Sequence, residues 1–183
     1  MLGALGSHYI DALRHWFGDV ATVSGQVAAM NPERWDEVAG KVVMADTDDT
    51  FSFTLTFKDG GNATMVFSTA VAVTQGARIL VQGSEGTLSA PQPGFNPPPN
   101  GVVYGAKAGE GPLQELPMPG KYLPFEDDRD ERLMAFRLLL REFERGMRDG
   151  VSPGPSFTDG LRCQEVLDAV RASSASGQRV ALA

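Results

Sequence analysis

The firmest pattern in the chain is a strict alternation over residues 50–57. Phe51, Phe53, Leu55 and Phe57 point to one side, and Thr50, Ser52, Thr54 and Thr56 to the other. Period two with aromatic residues on one face predicts a half-buried antiparallel strand. Lys58-Asp59-Gly60-Gly61 then supplies the positive-φ positions of a hairpin turn. Residues 62–71 return with Ala63, Met65, Phe67 and Thr69 alternating against Thr64, Val66 and Ser68. The outer face of this hairpin is hydroxylated and carries no charge.

Weaker strand patterns flank it. Val20, Val23, Val27 and Ala29 predict a strand over residues 19–30, broken by Asn31-Pro32-Glu33-Arg34; residues 33–48 read as a loop with a short strand near Val42-Val43-Met44. A second hairpin runs from residues 77–83 through Ser84-Glu85-Gly86 into Thr87-Leu88-Ser89. Residues 91–101 are rich in proline, cannot join a sheet interior, and read as an extended loop. Short strands are expected at residues 102–104 and 113–116, and residues 117–125 read as loop.

Three segments carry the helical period. Residues 7–17 place Tyr9, Ile10, Leu13, Trp16 and Phe17 on one arc and His8, Asp11 and His15 on the other. Ser7 is placed to cap this helix and Gly18 to stop it. Residues 130–148 align Leu133, Phe136, Leu139, Leu140, Phe143 and Met147. A last helix starts at the cap Ser156 and ends at Gly177, with Leu161, Cys163, Val166, Leu167 and Val170 facing inward and a strand at residues 179–182 after it. A helix, a run of antiparallel strands and two further helices predict an α+β fold: a large, mostly antiparallel, open-faced sheet with helices on one face.

Composition narrows the function classes. At 183 residues, with 42% hydrophobic and 21% charged positions, the chain suits one globular domain. A net charge of −7 argues against a nucleic-acid partner, which needs a basic face. Cys163 is the sole cysteine, so an internal disulfide and a Cys-based zinc site are excluded. No stretch reaches the ~18–20 apolar residues of a membrane span, and no secretory signal opens the chain. The expectation is a cytoplasmic protein without a membrane partner.

Four motifs, taken in order, resemble one family: the glucose–fructose oxidoreductase, inositol dehydrogenase and MocA (Gfo/Idh/MocA) oxidoreductases. Gly6-Ser7-His8-Tyr9-Ile10-Asp11 is similar to its G-x-H-x-x-D segment, and the hairpin of residues 50–65 to its central hairpin. Gly83-Ser84-Glu85-Gly86-Thr87 resembles its G-[ST]-x-G-[ST] turn, and residues 156–182 its last helix and strand. The resemblance covers nearly all of this chain and only half of a family member. It implies residues 1–183 as a single C-terminal substrate-binding and oligomerisation domain, with the open sheet face against another copy of the chain. The N-terminal Rossmann domain that binds NAD or NADP is expected to be absent, because no G-x-G-x-x-G follows a strand; it is either missing or supplied separately. No cofactor is expected on this chain alone.

By that resemblance His8 is the candidate acid/base or hydroxyl ligand, a group able to titrate near neutrality. Its structural alternative is a histidine that merely starts a helix. Asp11 either orients His8 or complements the helix dipole. Gly6 and Tyr122 are the further substrate-binding candidates, Tyr122 equally readable as a packing aromatic. His15 reads as a surface or interface residue and Cys163 as inert core. A metal site from His8, Asp11 and His15 lacks a fourth ligand, so no metal is expected. The family often has an aspartate two residues before the motif glycine; here that position is Ala4, and the family's catalytic lysine has no counterpart. The implied function is the substrate-binding half of an NAD(P)-dependent oxidoreductase acting on a sugar, polyol or related small molecule, inactive alone. The alternatives are a stand-alone non-catalytic binding or scaffold module, and one half of a split dehydrogenase.

Overall fold

The structure, a computed structural model, describes residues 1–74, 76–92, 101–122 and 133–183. Most of the loop expected at 91–101, the end of that at 117–125 and the first residues of the helix expected from 130 lie outside these. The elements are α1 (Ser7–Phe17), β1 (Val20–Ala28), β2 (Glu33–Asp36), β3 (Lys41–Met44), β4 (Thr50–Phe57), β5 (Asn62–Ser68), β6 (Ala77–Gly83), β7 (Gly86–Gln92), β8 (Val103–Lys107), β9 (Gln114–Leu116), α2 (Leu133–Asp149), α3 (Phe157–Ser176) and β10 (Val180–Ala181). They form two compact units, one from Met1–Ala72 with Gly154–Ala183 and one from Val73–Pro153. The α+β class and antiparallel pairing are as the sequence implies.

In the first unit four strands pair in the order β10-β1-β4-β5, all antiparallel. The alternation of β4 is realised in full: Phe51, Phe53, Leu55 and Phe57 are at most 4% exposed, while Thr54 and Thr56 face solvent. Gly60 and Gly61 close the turn at φ 96° and 84°. Register extends the uncharged outer face across three strands, with Ser24 opposite Thr54 and Thr54 opposite Thr64, and with Gln26 opposite Ser52 and Ser52 opposite Val66.

α3 covers the inner face with Val166, Val170 and Leu167, each at most 4% exposed. It begins with a capping box, in which the Asp159 N–H donates to Ser156 Oγ and the Asp159 carboxylate accepts from the Ser156 N–H. It ends at Gly177, φ 68°, whose N–H donates to the Ser173 carbonyl. One expectation fails here: Leu161 is 58% exposed, one turn from the cap, before the helix has reached the sheet.

The helix and β1 meet closely at Gly25. A Cβ there would lie 2.8 Å from Val170 Cγ1 and 3.0 Å from the Ser52 carbonyl oxygen. Beyond Val23 strand β10 no longer pairs with β1, and α3 takes over the exposed edge. Ser173 Oγ accepts from the Gly25 N–H at 3.0 Å and Ser174 Oγ from the Val27 N–H at 2.9 Å.

Residues 33–36, expected as loop, are strand β2, paired with β3 in a separate two-stranded hairpin. Its polar sequence Glu33-Arg34-Trp35-Asp36 lacks the apolar alternation that marks a strand. The hairpin is fastened by Asp49, 4% exposed. That carboxylate accepts from the Met30 and Asn31 N–H groups, both at 2.8 Å, and from Thr50 Oγ1, and it pairs with Arg34. The Asn31 and Met30 donors hold its pKa at about 2.

The second unit contains a four-stranded antiparallel meander, β6-β7-β8-β9. β7 runs past the expected end through Pro91, opposite Arg78 and beyond the reach of β8, where a missing N–H costs no ladder bond. Gly86 of the turn motif has a packing reason, since a Cβ there would lie 2.5 Å from the Ala106 carbonyl oxygen. The apolar residues of α2 stand on one stripe, but Phe136, Leu139, Leu140, Phe143 and Met147 are 47–64% exposed.

Two outcomes test this packing. Gly25→Ala overpacks the α3 contact and lowers Tm by roughly 3–10 °C; the added substitution Val170→Ala recovers part of that loss, whereas an unchanged Tm in the single variant contradicts the contact. Because the folded pKa of Asp49 is depressed from 3.8 to about 2, its contribution is complete above pH 3.8 and is lost as pH falls through 2. Asp49→Asn therefore lowers the urea midpoint at neutral pH, and the difference from the native chain closes in acid.

Candidate functional site

The helical backbone begins before α1. Leu2–Gly6 form a π-helical turn in which the Leu5 N–H donates to the Met1 carbonyl at 2.8 Å and the Gly6 N–H to the same oxygen at 3.4 Å. Leu2 and Ile10, both fully buried, carry this segment into the core with Gly6 between them. Gly6 is helical, at φ −58°; a Cβ there would lie 3.0 Å from Leu2 Cδ1 and 3.4 Å from Phe51 Cζ. Gly6 thus faces the core, and the missing side chain lets the Phe51 ring approach.

The continuous helix overturns the expected cap. Ser7 Oγ accepts no capping N–H; it donates to the Ala4 carbonyl at 3.0 Å. Gly18 does end the helix with positive φ, at φ 84° and ψ −167°, its N–H donating to the Arg14 carbonyl.

Three contacts pin α1. Cys163 Sγ donates to the Ser7 carbonyl at 3.4 Å, Arg14 Nη1 to the Asp159 carbonyl at 3.2 Å, and the Phe17 ring lies 5.5 Å from that of Phe57. Arg14 also pairs with Asp19 at 3.0 Å, and this hydrogen bond holds the Asp19 carboxyl below its usual range. These contacts rotate the buried side of α1 away from the expected arc. Ile10 is its centre, while Trp16 is 50% exposed and shares the solvent side with His8 and His15. Asp11 is half-buried beside α3. Burial pushes the Cys163 thiol up, and the negative charge of Asp11 adds to that.

His8 is therefore an exposed imidazole near the start of a helix fixed on its other side. It forms no ion pair with Asp11 among the described residues. Ala4 is exposed and four positions before His8, so a carboxylate at position 4 would stand one turn below the imidazole. Tyr122 belongs to the second unit, at the end of a 3-10 turn (Gly120–Tyr122), 57% exposed, with Lys121 Nζ 4.8 Å from its ring centroid. His8, Asp11 and Gly6 share one helical segment; Tyr122 is described only within its own unit.

The remaining chemistry is self-contained. A shallow concavity at the other end of α1 includes Arg14, Asp19, Lys58, Arg162 and Glu165, but Arg14 pairs with Asp19 and Arg162 with Glu165. Among the described residues no three His, Cys, Asp or Glu side chains are grouped to hold a metal. Sequence reasoning missed the Arg14 and Asp49 fastenings, whose partners lie far along the chain or in an irregular loop.

Comparison with known proteins gives the class. The sequence model of the oxidoreductase family, C-terminal alpha/beta domain, matches residues 1–182. The chain belongs to that family, the one its motifs resemble. Among curated proteins no match is found. Solved structures share the fold over the whole chain. An oxidoreductase domain protein from Kribbella flavida superposes with a TM-score of 0.78 at 24% identity, over 100% of this chain and 51% of its own. Aldose–aldose oxidoreductase from Caulobacter crescentus, complexed with glycerol, gives 0.69 at 19% identity over 99% and 47%. Levoglucosan dehydrogenase, in complex with NADH and levoglucosan, gives 0.78 at 19% identity over 97% and 49%. The chain spans about half the length of these structures. No helix among the described residues is long and apolar enough to cross a membrane.

The placement of Cys163 is open to a direct check. Its thiol should react with a disulfide reagent only at the rate of unfolding; rapid labelling of the native chain contradicts the buried contact with Ser7.

Proposed function

We propose that this chain is the substrate-binding and oligomerisation half of an NAD(P)-dependent oxidoreductase of the cytoplasm, acting on a sugar, polyol or related hydroxylated small molecule. The observation that carries the reading is the family match over residues 1–182, which covers only half of neighbours named for aldose and levoglucosan. In it the two units serve as one domain, and the dinucleotide belongs to a Rossmann half. His8 exchanges a proton with the substrate hydroxyl, which its solvent-facing imidazole is free to approach. Asp11 acts as a positioning residue for that segment. Gly6 acts through the packing of Phe51 beneath that segment rather than by touching substrate, and Tyr122 is a further substrate contact. The uncharged outer face of β1, β4 and β5 packs on a second copy. Alone, the chain neither binds NADH nor turns over substrate.

One observation favours a second reading, a binding module that has lost catalysis. Ala4 occupies the exposed position one turn before His8 where the family often has aspartate. The two readings part in a chimera in which this chain replaces the matching half of levoglucosan dehydrogenase. Under the first, the chimera reduces NAD with a polyol or sugar, and His8→Asn lowers kcat by about 10²–10⁴-fold. Activity that appears only with Ala4→Asp supports the second. Undiminished turnover in His8→Asn contradicts the assignment of His8.

A further inference from the structure

We propose that the β2–β3 hairpin is an arm that grips a second copy of this chain, with Trp35 as its anchor. This rests on the reading of the open sheet face as a subunit interface and extends it to a surface which that reading does not include. In the hairpin Trp35 stands opposite Val42, and Glu33 opposite Met44. Residues two apart along a strand share a face, so Trp35, Val42 and Met44 lie together. They are 64%, 59% and 71% exposed.

The other face is the fastened one. Arg34 Nε donates to the Asn31 carbonyl at 3.0 Å, Nη1 to Thr47 Oγ1 at 3.1 Å and Nη2 to the Thr47 carbonyl at 2.8 Å, and the guanidinium pairs with Asp49. One side of the hairpin is thus tied down while the other offers Trp35 beside Val42 and Met44, with the exposed Glu33 carboxylate at the edge of the same face. A two-stranded hairpin is marginal in water on its own, and a contiguous apolar patch of this kind marks a contact surface.

Area argues that the occupant is a second copy. The outward positions of β1, β4 and β5 number four on each strand in the paired region. At a strand spacing of ~4.8 Å and ~6.8 Å between same-face residues, these twelve positions cover roughly 400 Å². A stable dimer needs about 800 Å² per partner. Trp35, 64% exposed, has about two-thirds of a tryptophan's roughly 150–250 Å² left to bury, and Val42 and Met44 extend it, so the arm brings the interface closer to that size. The hairpin leaves β1 and returns to β4 at the Ala28/Thr50 end of that same sheet. The outer face of β1, β4 and β5 holds no charge, so two copies meet there without stranding one, and in a two-fold pair each arm contributes once.

The test is sedimentation equilibrium of the native chain, Trp35→Ser, Trp35→Phe, Val42→Glu and Val66→Arg, with circular dichroism to confirm folding. Fluorescence is read in a Trp16→Phe background, where Trp35 is the remaining tryptophan. We expect a native dimer, a dimer Kd raised about 30-fold or more by Trp35→Ser or Val42→Glu, near-native association in Trp35→Phe, and Trp35 emission that moves to the blue as the dimer forms. Val66→Arg separates the two ideas. Dissociation by Val66→Arg, with Trp35→Ser and Val42→Glu unchanged and Trp35 emission independent of concentration, overturns the arm and leaves the sheet interface standing. Association lost in Trp35→Ser but kept in Val66→Arg overturns the sheet interface and supports the arm. A native chain that stays monomeric, or Trp35 emission already blue in the monomer, overturns the arm.

Discussion

The close approach of α3 to β1 at Gly25 is the constraint on which the first unit depends. Without a side chain at that position Val170 reaches the sheet, and the Ser173 and Ser174 hydroxyls come within bonding distance of two strand N–H groups. Those N–H groups lie where β10 has stopped pairing, and leaving them buried and unbonded would be expensive. One helix therefore does two things: it covers Phe53 and its neighbours and completes the edge of the sheet that they belong to.

The same helix bears on function by orienting α1. α1 is tied to α3 through the Ser7 carbonyl and Arg14, and to the sheet through Phe17. These ties settle which side of α1 is buried, and that leaves His8 facing solvent. In the proposed reading, a pinned helix holds a proton-exchanging His8 in position without help from a substrate, which is what an acid/base residue requires. The nearby Gly6 serves the same end indirectly, because Phe51 packs into the space that its side chain would fill.

The sequence made β4, its glycine turn and the two ends of α3 legible, because each depends on neighbours a few positions away. Phe51 to Phe57 alternate, Ser156 and Asp159 are three apart, and Gly177 follows the last helical residue. Features that depend on distant partners were not legible. Gly25 is an unremarked glycine until Val170 is set against it. Asp49 looks like one acid among several until Met30 and Asn31 turn toward it. Trp16 fits an apolar arc by period alone and is exposed because Arg14 and Cys163 pull the helix round. β2 escaped notice because Glu33-Arg34-Trp35-Asp36 covers no core. Of the candidate site, the motif placed His8 correctly on α1, but its exposure and the inward turn of Gly6 depend on tertiary packing.

The central claim is that His8, rather than His15 two turns along the same exposed face, meets the substrate. This chain contributes just two histidines, and their ring signals are picked out from those of the other half of a chimera by their disappearance in His8→Asn and His15→Asn. In the chimera with the dinucleotide-binding half of levoglucosan dehydrogenase, loaded with NADH, the imidazole resonances can be followed by heteronuclear NMR while a polyol is titrated. The account predicts that the His8 signals move and saturate with the polyol while those of His15 stay in place. Movement of His15 alone, or saturating polyol binding with both unmoved, would contradict it.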